Sequence, residues 1–98
     1  MENDYQNQAK IFKAFADENR LKILSLLRDG EKCCCVLLEH LEIGQSALSY
    51  HMRILVEAGV VEGRQEGKWT HYRIRVEGSQ SVSDLVHFIT TPNLGSCV

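Results

Sequence analysis

The feature that most constrains the fold of this chain is a pair of helical segments joined by a connection of only three residues. The first segment covers about residues 32–41, and the second covers residues 45 to about 58. The connection, Glu-Ile-Gly at residues 42–44, is short and contains glycine, which is typical of a helix-turn-helix. Gly59 follows the second segment and favours the end of a helix there. We therefore predict a helix-turn-helix over about residues 32–59.

A segment with a different periodicity follows the second helix. Apolar and polar side chains alternate over residues 70–76, as in a half-buried β-strand. A turn-like tip at residues 65–68 separates this strand from an apolar start at Val60 and Val61. A β-hairpin directly after a helix-turn-helix predicts the winged form, with the wing over about residues 60–76.

Further helices complete a single predicted domain over residues 1–98. Helical apolar periodicity covers about residues 5–16 and 80–90, and Asp17 is well suited to cap another helix between them. The predicted fold class is mainly α with a small β-hairpin, a winged helix-turn-helix in the order ααααββα.

Composition and charge limit the classes of function. No stretch reaches the roughly 20 apolar residues of a membrane helix, and the acidic N-terminus does not resemble a signal peptide. We therefore expect a cytoplasmic protein without a membrane partner. The formal net charge of −2 argues mildly against nucleic acid, yet residues 44–76 hold five Lys or Arg against three Glu. The basic part of the chain thus coincides with the second predicted helix and the wing.

The second predicted helix has two different faces. Leu48, Met52 and Leu55 recur at helical spacing and are expected to pack inward. The other face carries short polar side chains, one phenol and one guanidinium, and no acidic group: Gln45, Ser46, Ser49, Tyr50 and Arg53. A solvated face is the alternative, but such faces usually carry more Glu and Lys. We interpret this one as the surface that enters the major groove of DNA.

The wing adds further candidate contacts. Arg64 and Lys68 flank Gly67 and could reach a backbone phosphate or the minor groove. Trp69 is expected to close the core under the wing, with a contact to DNA as the alternative. His71 is interpreted as a structural or surface histidine rather than a ligand.

Three cysteines are consecutive at Cys33, Cys34 and Cys35, and a fourth is Cys97. Neighbouring cysteines are poorly placed to bridge, which excludes the disulfide framework of a small secreted domain. In a reducing cytosol we expect free thiols, with metal binding, redox sensing or simple packing as their roles.

Residues 45–61, QSALSYHMRILVEAGVV, resemble the recognition helix of the ArsR/SmtB family of metal-responsive repressors. Residues 15–24 and 64–74 are similar to the opening of that family's second helix and to its wing. Gly44 is a departure, since the family usually has Ser as the cap of this helix, although Gly is a tolerable cap. The resemblance covers roughly residues 8–90.

The resemblance implies a homodimer that represses transcription. The helices at about residues 5–16 and 80–90 would form the interface between the two chains. The two recognition helices would read a palindromic, double-stranded operator.

The cysteine cluster resembles the arsenical-sensor motif of this family, E-L-C-V-C-D-L. Cys33 and Cys35 match its two core thiolates, whereas Cys34 and Val36 replace Val and Asp. The resemblance implies that As(III) or Sb(III) is the inducer and that it takes three thiolates, because thiolates select soft ions. The third ligand stays open between Cys34 and Cys97 of either chain.

Other ions are less expected. Family members that sense Cd(II) or Pb(II) add cysteines from the N-terminal segment, and residues 1–32 contain none. The family's Zn(II) site on the last helix needs an Asp/His pair and a His/Glu pair. Of these residues only Asp84 and His87 remain here, three positions apart. No metal is expected to be needed for folding.

Helix geometry predicts how the cluster would act on DNA binding. Positions i and i+2 of a regular helix point about 200° apart. Cys33 and Cys35 would therefore bind one ion only if the first turn of the third helix unwound. Unwinding would strain the support of the recognition helix, so that ion binding and DNA binding oppose each other. The helix N-terminus is also expected to lower the pKa of these thiols.

Three alternatives remain at this stage. The first is a repressor of the same fold that responds to thiol oxidation or to persulfides. The second is a winged-helix protein-interaction module without metal sensing, against which the acid-free helix face argues. The third is an enzyme such as a thiol oxidoreductase, but redox motifs separate their cysteines by two residues beside a βαβ unit, and this chain has neither feature.

Overall fold

The computed structural model describes residues 4–94. Its elements follow in chain order as α1 (Tyr5–Lys13), α2 (Glu18–Leu27), β1 (Lys32–Cys33), α3 (Cys34–His40), α4 (Gln45–Glu57), β2 (Val61–Glu66), β3 (Trp69–Ile74) and α5 (Val76–Ile89). The predicted winged helix-turn-helix is confirmed, with α3 and α4 as its helix pair and β2 and β3 as its wing. Among the described residues no helix is both long and apolar enough to span a membrane.

The hydrophobic core lies between α2, α3, α4 and the base of the wing. Its largest fully buried side chains come from each of these parts: Ile23, Leu37, Met52, Leu55 and Val61. The inward face predicted for α4 is therefore confirmed. On α2, Leu21 does not belong to this core, because it is 51% exposed.

Local hydrogen bonds set the helix boundaries. The Asp17 carboxylate accepts hydrogen bonds from the backbone N–H groups of Asn19 and Arg20, at 2.8 and 3.1 Å. These bonds cap α2, and the one from Arg20 is the main reason that the pKa of Asp17 lies below its ordinary value. Gly59 has φ of 81° just after α4, a conformation that favours glycine.

The wing is larger than the sequence predicted, because a third strand pairs with it. In the antiparallel sheet β1-β3-β2, Lys32 pairs with Tyr72 and Cys33 pairs with His71. The prediction that a helix begins at about Lys32 was therefore wrong, since α3 starts at Cys34. Such a two-residue strand depends on pairing with a distant segment and leaves no periodic signal of its own.

Two other predicted boundaries and one predicted burial need correction. Helix α1 ends at Lys13, three residues before the predicted end at about residue 16, and α5 begins at Val76, four residues before the predicted start at about residue 80. The Trp69 side chain is 44% exposed near the tip of the wing and does not close the core. Tyr72, three residues further along β3, packs against the core instead.

Candidate DNA-binding surface and thiol site

The polar face of α4 is a continuous exposed surface. The residues predicted to read DNA line one shallow depression of about 450 Å³: Gln45, Ser46, Ser49, Tyr50 and Arg53. The Arg53 guanidinium carbon lies 5.9 Å from the centre of the Tyr50 ring, within range of a cation–π contact. The first turn of α4 carries no acidic residue. The depression therefore offers hydrogen-bonding groups and positive charge.

A buried polar contact that the sequence did not predict holds α4 in place. Arg20 and His51 are each only 8% exposed, and Nη1 of Arg20 lies 2.8 Å from Nδ1 of His51. Because arginine can only donate, Nδ1 of His51 is the acceptor of this hydrogen bond. Arg20 also donates to the carbonyl oxygens of Ala14 and Lys13, at 3.2 and 3.1 Å. One guanidinium thus joins α2 to the end of α1 and to α4.

A sequence signal for this contact exists in the spacing of α4. His51 falls between Leu48 and Leu55 on the inward face, three residues after the first and four before the second. A polar side chain at such a position must find a partner inside the protein. The spacing does not say that the partner is Arg20.

The two predicted cations of the wing differ in their surroundings. Arg64 donates from Nε and Nη2 to the carboxylate of Glu31, at 2.9 and 2.8 Å, and from Nη1 to Glu66 at 2.8 Å. This pairing lowers the pKa of Glu31 and raises that of Arg64. Lys68 lies at the exposed tip, 5.6 Å from the Trp69 ring centre. Within residues 4–94, no carboxylate pairs with Lys68.

The cysteine cluster lies where β1 meets α3. Cys33 is the N-cap of α3 and has extended backbone angles, φ −67° and ψ 145°. Its sulfur accepts a hydrogen bond from the backbone N–H of Cys35 at 3.4 Å, and the two Sγ atoms are 2.7 Å apart. Hydrogen bonds from the Cys35 thiol and N–H lower the pKa of Cys33, and the same contact raises that of Cys35. Cys33 therefore forms a thiolate more readily than Cys35 does.

This geometry corrects the predicted mechanism of unwinding. Cys33 and Cys35 do not point to opposite sides of a helix, because Cys33 precedes the helix and its sulfur turns back over the first turn. The helical angle of 200° applies only between residues that both lie in the helix. The two sulfurs therefore converge without any unwinding.

Two cysteines were predicted as possible third ligands, and only one of them lies within the described residues. Cys34 is partly buried and packs against the hydrophobic core, and Cys97 lies outside the described residues. Across residues 4–94 no group of three or more His, Cys, Asp or Glu side chains is preassembled for a metal. On α5, Asp84 accepts a hydrogen bond from Gln80 at 3.0 Å. The sulfur pair is thus the described feature that best fits a soft ion.

A three-stranded wing beside an exposed, acid-free helix face defines a winged helix-turn-helix regulator that binds DNA. Comparison with known proteins specifies the group. Residues 17–63 match the family model described as bacterial regulatory protein, arsR family. The chain belongs to this family and is a transcriptional repressor rather than an enzyme.

Individual relatives agree with this assignment over nearly the whole chain. An HTH-type transcriptional regulator of Methanocaldococcus jannaschii is 41% identical over 83 residues, which cover 84% of this chain and 93% of the relative. The arsenical resistance operon repressor of Staphylococcus xylosus is 36% identical over 91 residues, 93% of this chain and 88% of the relative. A homodimeric winged helix-turn-helix DNA-binding domain from Mycobacterium bovis superposes with a TM-score of 0.69 at 30% identity, covering 87% of this chain and 79% of that one.

Proposed function

We propose that this repressor binds a palindromic operator as a homodimer in the cytoplasm and reads the bases with the exposed face of α4. The observation that carries the proposal is the single depression formed by all five predicted reading residues. A helix face of this kind can enter the major groove, with Gln45 suited to adenine and Arg53 to guanine or a phosphate. Lys68 and, once released from its carboxylates, Arg64 would add backbone contacts from the wing.

Exposed apolar side chains support the dimer. Phe88, Ile89 and Val86 on α5 are 51%, 46% and 42% exposed, and no residue of α1 is buried. Large apolar side chains that stay exposed on one helix, together with a second helix that has no buried residue, are typical of an interface. The homodimeric relative of known structure agrees with this arrangement.

Selection of bound duplexes from a random pool, followed by light scattering, tests this proposal. We expect a dimer in solution and enrichment of an inverted repeat with half-sites about one helical turn apart. Replacement of Arg53 by Ala should weaken binding to the selected duplex. Absence of any enriched duplex would contradict the proposal.

We further propose that As(III) or Sb(III) is the inducer and that Cys33 and Cys35 hold it as thiolates. The converging sulfurs, the lowered pKa of Cys33 and the partial exposure of both residues support this. The name of the Staphylococcus xylosus relative, an arsenical resistance operon repressor, supports it independently. Cys34 or Cys97 would complete a set of three thiolates. Cd(II), Pb(II) and Zn(II) are less favoured alternatives.

The proposed coupling to DNA passes through the chain on either side of Cys33. When both thiols are deprotonated to bind an ion, the Cys35 thiol no longer donates to Cys33. The two sulfurs then take positions set by the ion, so the end of β1 and the start of α3 must adjust. Helix α3 packs Leu37 into the core that supports α4. Strand β1 pairs with the wing through His71, and Glu31 just before it holds Arg64. The thiol pair is therefore connected to α4 through α3 and to the wing through β1.

X-ray absorption and native mass spectrometry, with As(III), Cd(II) and Zn(II) added in turn, test the identity of the ion. We expect As(III) to displace the other two and to show sulfur ligands only. Replacement of Cys33 or Cys35 by Ser should abolish high-affinity binding, whereas replacement of Asp84 by Asn should leave it unchanged. Oxygen or nitrogen ligands around bound arsenic would contradict the assignment.

The same sulfur pair favours one second candidate function, the sensing of thiol oxidants. Two thiols whose sulfurs are 2.7 Å apart can lose two protons and two electrons to hydrogen peroxide, forming one S–S bond while the peroxide becomes two waters. Mass spectrometry of peroxide-treated protein would find two hydrogens lost across residues 33–35. Release of DNA by peroxide but not by arsenite would favour this function, or persulfide sensing, over the first.

A further inference from the structure

A second basic surface adjoins the reading face of α4. The groove between α1 and α4 is lined by Lys10 and Lys13 on one side and by Tyr50 and Ile54 on the other. Tyr50 also lines the depression on the reading face, so the two surfaces are continuous. Any duplex seated on the α4 face would lie next to these two ammonium groups.

The two lysines lie on the same side of α1. Positions three apart are neighbours on a helix, whereas Phe12 lies about 200° from Lys10 around the axis. Both lysines are exposed, and within the described part of the chain neither has an ion-pair partner. They can therefore face DNA while Phe12 faces a second protein chain. Glu57 is the acidic residue of the groove and lies two helical turns beyond Tyr50.

The end of α1 is fixed relative to α4. Arg20 donates to the backbone carbonyls of Lys13 and Ala14 and, from the same guanidinium, to His51 of α4. These bonds bridge the two helices through one buried group, so the position of Lys13 follows that of the reading face. The backbone from which the Lys13 side chain extends is therefore held in place beside the reading face.

From these observations we propose that Lys10 and Lys13 bind backbone phosphates flanking the major groove that α4 occupies, extending the DNA-binding surface onto α1. The inference rests on the proposed function, because it requires a duplex on the α4 face. Lysine binds phosphate as a point charge and reads no bases. The lysines would therefore contribute affinity and salt dependence without sequence preference.

The salt dependence of binding tests this inference on the whole protein. The probes are a fluorescein-labelled duplex selected from a random pool and an unselected duplex of equal length, titrated between 50 and 200 mM salt. Log K falls linearly as log salt rises, and each lost phosphate contact lowers the steepness of that fall by about 0.9. One lysine lost from both chains of a dimer therefore lowers the steepness by about 1.8. We expect this reduction for Lys13→Gln, a similar one for Lys10→Gln and equal weakening on both probes.

Two controls make the result specific. Lys22→Gln removes another exposed lysine, which pairs with Glu18 on α2 at 3.3 Å, and should leave the slope unchanged. The double variant Lys10→Arg with Lys13→Arg keeps the charge and should retain the wild-type slope. If wild-type protein binds no duplex, the proposed function itself fails. If it binds and the glutamine variants keep the wild-type slope, the inference about α1 alone is overturned.

Discussion

The reading face of α4 and the junction at residues 31–35 are both built from consecutive residues, yet only the first has the geometry of a regular helix. On α4, spacing alone separates the buried Leu48, Met52 and Leu55 from the exposed polar set. At the junction the backbone changes from strand to helix between Cys33 and Cys34, so the side-chain directions follow no single period. In the proposed function, the regular helix α4 reads DNA and the irregular junction responds to the inducer.

The largest expected effect concerns the support of α4. Arg20→Met removes the hydrogen bonds to two backbone carbonyls and to His51, which leaves two buried acceptors and one partly buried acceptor without this donor. We expect a loss of about 3 kcal/mol in the free energy of unfolding, measured by urea denaturation. Arg28 is exposed at the end of α2, the helix that carries Arg20. Arg28→Met should change the free energy of unfolding by less than about 0.5 kcal/mol. Equal effects of the two substitutions would contradict a supporting role for Arg20.

The next effect compares cations on α4 and the wing. Arg53→Ala should weaken binding to a selected operator by about tenfold or more, because its guanidinium lies on the reading face. Arg64→Ala should weaken it less, since Arg64 must first leave Glu31 and Glu66. Fluorescence anisotropy with one labelled duplex measures both. A greater loss of affinity for Arg64→Ala than for Arg53→Ala would mean that the wing contributes more to DNA binding than α4, contrary to this expectation.

A smaller effect concerns the pH dependence of the junction. The Cys35 thiol is the main cause of the low pKa of Cys33, so Cys35→Ala should move that pKa upward. The Cys33 thiolate, and its fast alkylation by iodoacetamide, is present above its folded pKa and is lost as the pH falls through it. In Cys35→Ala we expect this loss to begin at higher pH. Peptide mapping of alkylated Cys33 across a pH series measures it, and an unchanged profile would exclude the sulfur contact as the cause.

The smallest effect concerns the pair that joins the junction to the wing. Glu31→Gln removes the bidentate partner of Arg64 and should raise DNA affinity modestly by making the guanidinium available to phosphate. Glu39→Gln removes one negative charge at another exposed position and controls for net charge. Equal gains from both variants would mean that charge alone, and not release of Arg64, raises the affinity.

What the sequence could predict follows the same division between regular and irregular elements. The winged fold, the cap at Asp17 and the two faces of α4 depend on short-range spacing, and they were predicted correctly. Strand β1, the partner of His51 and the pair Glu31–Arg64 depend on contacts between distant segments, which spacing does not encode. The predicted start of α3 was two residues too early. This shift placed Cys33 inside the helix and its sulfur opposite that of Cys35, whereas the two sulfurs converge.

The proposal that ion binding at Cys33 opposes DNA binding can be tested in one experiment. It measures the affinity of the wild-type protein and of Cys33→Ser for the same selected duplex, with and without arsenite. We expect arsenite to weaken DNA binding of the wild type by about 5- to 150-fold, the usual range of coupling between two sites. We expect no change for Cys33→Ser, whose affinity without arsenite should match that of the wild type. Full DNA binding by the wild type in saturating arsenite, or release from Cys33→Ser as well, would contradict it.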